Sequence, residues 1–153
     1  MEWMLMPLRR YADFSGRSRR MEFWMFSLLN AIVYGVLIAI SFSGIPWAAI
    51  MAEDTEALAR MPDLSGITIV GLVLLGIWML AILIPSIAVT VRRLHDRDMS
   101  GWWYLGIIVA SMIPVVGFIA SIAMLVLMVL PGTAGPNRFG NDPKDTSNAQ
   151  VFA

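Results

Sequence analysis

The sequence predicts an all-α fold: a polytopic membrane helical bundle with two full spans and a third apolar block. That block is either a short helical hairpin, giving four helices, or one kinked span. Three observations lead there. Of 153 residues, 58% are hydrophobic and 14% charged, against about 25% charged in an average soluble domain. Mean hydropathy is +0.72. The apolar residues stand in long uncharged blocks with the charges gathered between them, a layout suited to hydrocarbon rather than to a soluble core. The chain, 1–153, has the length of one domain and is read as a single integral membrane domain.

Residues 1–22 form a basic, cytoplasmic or interfacial segment. Met4, Leu8, Tyr11 and Phe14 recur at helical spacing, with Arg9 and Arg10 flanking that face. This suits a short helix in the headgroup zone, anchored by Trp3 and Tyr11. Pro7 interrupts the pattern, and a disordered tail is the competing reading. Residues 23–42 carry no charge and match the roughly 20 residues a bilayer crossing needs. A signal peptide fits less well, because the basic lead-in is long and Ala39-Ile40-Ser41 is a poor cleavage site.

The loop 43–66 sets Glu53, Asp54, Glu56 and Asp63 against Arg60, between Pro46 and Pro62, and "EDTEALARM" suggests a turn or two of helix. Residues 67–91 are a second uncharged span, with a kink expected at Pro85. The turn 92–101 holds "RRLHDRDMSG". Residues 102–130 would make a helix of roughly 43 Å, well beyond a core of about 30 Å, and "IPVVG" at 113–117 breaks or kinks it. In a hairpin, Gly106 and Ala110 in one half and Gly117 and Ser121 in the other would permit close approach. The tail 131–153 is polar and rich in turn residues.

Charge sets the expected topology. Lys and Arg number five in 1–22, one in 43–66, three in 92–101 and two in 131–153. The positive-inside rule puts the N-terminus and the 92–101 turn in the cytoplasm and the acidic loop outside. A single third span leaves the tail outside, whereas a hairpin returns it to the cytoplasm. The turn then sits where water and headgroups can solvate its charges.

With no cysteine, thiolate metal sites, thiol catalysis and disulfides are excluded. No metal site, cofactor, catalytic set or nucleic-acid partner is expected. His95 lies beside Asp96, but adjacent residues rarely face each other, and a lone histidine is a poor metal ligand. A salt-bridged turn is the stronger reading of "RRLHDRD", with Trp102 and Trp103 opening the next helix at the interface. The arginines of "FSGRSRRMEFW" serve orientation or bind lipid phosphate. On the first span, Ser27, Ala31, Gly35, Ala39 and Ser43 form a small-residue stripe. It suits packing against another helix of the same chain or, less favoured, a homo-oligomer contact. Asn30 and Tyr34 lie beside it.

"YADFSGRSRRMEFW", "VRRLHDRDMSGWW" and "PGTAGPNRFGNDP" together resemble the signature blocks of the YhaH-like small bacterial inner-membrane proteins, a domain-of-unknown-function family. The likeness runs over nearly the whole chain. The departures are a longer first external loop and Asn141, where the family usually has proline. The resemblance implies a multipass bacterial inner-membrane protein and brings no reaction, substrate or cofactor. It directs attention to Arg17, Arg19, Arg20, Glu22, Arg92, Arg93, His95, Asp96, Trp102, Asn137, Arg138 and Asp142. With the tail inside, the arginines would meet Glu22, Asp96, Asp98 and Asp142 in a mixed ionic cluster. The favoured function is a non-enzymatic scaffold, accessory subunit or lipid-headgroup binder, whose partners would be the bilayer, anionic headgroups, a protein or a second copy. An oligomeric transporter or channel, then an enzyme acting on lipid phosphate, are the alternatives.

Overall fold

The computed structural model describes residues 2–45, 47–54, 56 and 66–145. These form α1 (Glu2–Arg9), α2 (Arg20–Ser43), α3 (Trp47–Met51), α4 (Gly66–His95), α5 (Trp102–Ala110) and α6 (Pro114–Val129). There is no strand among them, and the one β-bridge joins Asn137 to Gly140. The N-terminal segment is thus helical before Arg10 and irregular up to Arg20. Most of "EDTEALARM" lies outside the described residues.

α2 and α4, at 24 and 30 residues, are long enough at about 1.5 Å per residue to cross a bilayer. Only 17% of the most apolar stretch of each is buried, whereas the core helix of a soluble protein would be mostly buried. Leu80, Ile77 and Phe118 are among many exposed apolar side chains, as expected where lipid replaces water. α4 runs unbroken through Pro85 and four residues past the expected end of the span, so that Arg92, Arg93 and His95 lie in its last turn. The turn proper is shorter than the sequence suggests. Cations at a helix C-terminus complement the backbone dipole, which favours this extension.

The third block is a hairpin. α5 stops at Ser111, and Pro114 opens α6 at a first-turn position, where its missing N–H costs nothing. α6 ends near Leu130, and Arg93 donates to the carbonyls of both Met128 and Leu130. The block therefore begins and ends beside the last turn of α4. Gly117 is the close-approach point: a Cβ there would lie 2.7 Å from Ser111 Cα, while Gly106 has open space around it. Gly117→Val should therefore destabilise the hairpin by about 1–3 kcal/mol, and Gly106→Ala should be nearly silent. Thermal melts in detergent would check this, and equal melts would refute it.

The chain divides into two units, 1–28 with 83–153, and 29–82. In the second, α2 and α4 meet where Gly71 faces Ser41, with the Ser41 Cα only 2.8 Å from where a Cβ would sit. Ser41 is buried and returns its hydroxyl to the Leu37 carbonyl. Trp47 of α3 stacks on Phe42 at 6.0 Å. The expected stripe is not the packed face. Ala31, Gly35, Ala39 and Ser43 are exposed and Ser27 half-buried, whereas Glu22, Phe26, Asn30 and Ser41 are buried on the other side of α2. The small residues permit close approach, and among the described residues of this unit no helix covers Ala31, Gly35, Ala39 or Ser43.

Candidate functional site

The first unit carries a buried ionic knot where the start of α2, the end of α4 and the chain after α6 converge. Asp96 is at its centre. Its Oδ1 accepts from Arg17 Nε at 3.0 Å and lies 2.9 Å from Arg17 Nη2. Its Oδ2 accepts from Arg93 Nη1. Asp96 follows the last helical residue, His95, and its backbone carbonyl accepts from the Thr133 N–H at 2.8 Å and hydroxyl at 3.2 Å. Gly132 lies so close that a Cβ would sit 1.9 Å from Asp96 Oδ2.

Arg17 has its remaining donors on backbone oxygens: Thr133 and Gly135 at 2.6 Å and Gly140 at 3.5 Å. Gly135 has φ +73°, a conformation glycine adopts without steric cost, and this turn aims its carbonyl at the guanidinium. Arg93 takes the Met128 and Leu130 carbonyls, and Arg20 takes Val129 O at 3.2 Å. These are the orphan acceptors at the C-terminus of α6, so arginines from two other helices cap it.

A second pair lies alongside. Arg92, wholly buried, donates to Glu22 Oε1 at 2.8 Å and to the Asp13 carbonyl at 3.1 Å. Its Nε has no hydrogen-bond partner among the described residues. Glu22 Oε2 accepts from Ser18 Oγ at 2.7 Å, and the Ser18 N–H donates to the Arg92 carbonyl. Charges this deep are tolerable only when paired and hydrogen-bonded. The expectation of solvation by water and headgroups is therefore corrected for Arg92 and Arg93: carboxylates and backbone carbonyls solvate them. Asp13 is held well below the ordinary carboxylate range, first by the Ser15 hydroxyl and then by Arg10.

The other expected residues divide. Arg19 donates to the Pro143 carbonyl and lies over the Trp3 ring at 5.4 Å. His95 does not face Asp96. Its Nδ1 is 3.2 Å from the Gly16 carbonyl, and its ring stacks on Phe139 at 3.8 Å. Asn137 donates to the His95 carbonyl at 2.9 Å and to Thr133 Oγ1 at 3.0 Å. Arg138 pairs with Asp98 at 3.2 Å on the exposed surface, outside the knot. Among the described residues, Asp142 bonds no arginine. It accepts from the Lys144 and Gly135 N–H groups, and these hold its carboxyl low, the Lys144 N–H most of all. Trp102 stays outside as well: 77% exposed, it lines an open groove with Phe14, Val91, His95 and Tyr104. Ser18, Asp13, Gly132 and Thr133 belong to the knot without having been singled out by the sequence reading. Asp13 and Ser18 stand inside one motif already noted, and Gly132 and Thr133 inside another. Among the described residues, no three histidine or carboxylate side chains cluster to hold a metal ion.

Known proteins resemble this chain over most of its length. The chain is 36% identical to the inner membrane protein YhaI of Escherichia coli K12, across 97% of this chain and all of that protein. It is 33% identical to the inner membrane protein YhaH of the same strain, across 94% and 98%, and 28% identical to its uncharacterized protein YiiR, across 87% of each. No solved structure matches. The family described as protein of unknown function DUF805 matches residues 11–141, which take in the whole knot from Asp13 to Gly140, and the chain belongs to that family.

Proposed function

We propose that the chain is a non-enzymatic scaffold of the bacterial inner membrane. Its N-terminus, the turn after α4 and the tail lie on the cytoplasmic side, where the knot locks the helix ends into a fixed polar platform for a protein partner or lipid headgroups. The engagement of Asp96 carries this reading. Both of its oxygens are taken by buried arginines, so it cannot orient His95 as a catalytic base. His95 is turned to a backbone carbonyl and an aromatic face instead. The orientation is supported by charge: with the hairpin, ten of the eleven basic residues fall on the knot side.

The absence of cysteine makes single-cysteine labelling direct. On intact spheroplasts an impermeant maleimide should label Ala52→Cys at once, and Ala12→Cys and Lys144→Cys only after permeabilisation. The reverse pattern would overturn the orientation. Turnover of phospholipid by the purified protein that disappears in His95→Ala would overturn the non-enzymatic reading.

A further inference from the structure

α2 and the α5–α6 hairpin flank an open groove of about 390 Å³, lined by Phe23, Trp24 and Ser27 of α2, Ile107 of α5, and Met124 and Met128 of α6. We infer that it holds one acyl chain of an anionic membrane phospholipid, with the lipid phosphate on the Arg20 guanidinium. The volume lies within the range of about 300–1,000 Å³ usual for ligand sites, and the methionines adapt to a flexible chain.

Charge complementarity selects the headgroup. Arg20 precedes Phe23 and Trp24 by three and four residues, and so stands above them on one edge of α2. It is exposed, and its one hydrogen bond among the described residues goes to Val129 O. Four of its five N–H donors therefore remain for a phosphate, which a guanidinium binds bidentately. Arg93 lies near enough to Arg20 for the two charges to interact. Arg93 and Arg17 share the single carboxylate of Asp96, which leaves a positive excess behind the groove mouth. The positive end of the α2 dipole adds to it. Trp24 puts an indole at the level where bilayers favour one.

This deepens the headgroup part of the reading above. The cytoplasmic orientation decides only which leaflet supplies the lipid, so failure of the labelling experiment and failure of the lipid experiment are separable. The protein in mild detergent, offered equimolar phosphatidylglycerol and phosphatidylethanolamine, should retain the first about fivefold over the second by native mass spectrometry. Arg20→Gln should abolish the preference, Ser27→Phe should lower retention of both lipids, and Arg138→Gln should change neither. Melting of each variant checks its fold. In the unaltered protein, phosphatidylglycerol with a photoreactive acyl chain should crosslink to residues 121–128. A preference that survives in Arg20→Gln, crosslinks only elsewhere, or Met124→Cys pairing between two copies would overturn the inference.

Discussion

Asp96→Asn is expected to cost the fold about 3–5 kcal/mol, the usual penalty for removing one partner from a buried ion pair. The substitution keeps the shape and removes the charge that Arg17 and Arg93 share. Two guanidinium groups, each almost inaccessible to water, are then left facing a neutral amide whose NH2 opposes their own donors. Against a total stability of about 5–15 kcal/mol, the loss should show as a strongly reduced melting temperature in detergent and poor accumulation in membranes. Because Arg17 and Asp96 are partners, Arg17→Gln combined with Asp96→Asn should cost less than the sum of the single changes. An Asp96→Asn protein that melts like the parent would mean the knot does not hold the helix ends.

Gly132→Ala is the second large effect, and it adds only a methyl group. That methyl would sit 1.9 Å from Asp96 Oδ2 and 2.5 Å from Cγ. The carboxylate cannot swing aside without leaving Arg17 or Arg93. The Gly132 backbone cannot retreat freely either, because the next residue bonds to the Asp96 carbonyl. A loss of roughly 2–4 kcal/mol follows from the clash together with the weakened ion pairs. Gly35→Ala is the matched control. Nothing lies within 4 Å of its added Cβ, and alanine suits a helix better than glycine, so it should stay within about 1 kcal/mol of the parent. Parallel melts decide, and equal behaviour of the two variants would refute the steric account.

The two spans were legible because hydrocarbon imposes length and charge rules that composition alone reports, whereas the third block stayed open between a hairpin and one kinked span. The break came from Pro114 and Gly117, both visible in the sequence. Packing was less legible. A four-residue spacing of small side chains shows that a helix can be approached closely, not which neighbour approaches. Ser41 with Gly71 makes the contact that Gly35 and Ala39 were expected to make. At the site, the charged residues were visible and their pairing was not. Asp96 follows His95 directly, yet its side chain meets residues 79 positions earlier and three positions earlier. The carbonyl acceptors of Thr133, Gly135 and Met128 carry no side-chain signature at all. The burial of Arg92 and Arg93 was hidden for the same reason, since charge in a sequence reads as a demand for water until its partners are known.

The bonds from Arg17 to Thr133, Gly135 and Gly140 span 116, 118 and 123 residues. Arg17 leaves the ribosome long before those carbonyls do. The knot therefore cannot close until residues 133–140 have been made and the α5–α6 hairpin before them has entered the bilayer. A prematurely terminated product would keep Arg17 without its carbonyl ligands, open to membrane proteases. Closure thus reports that the segment carrying Thr133 to Gly140 has been made and seated against Arg17.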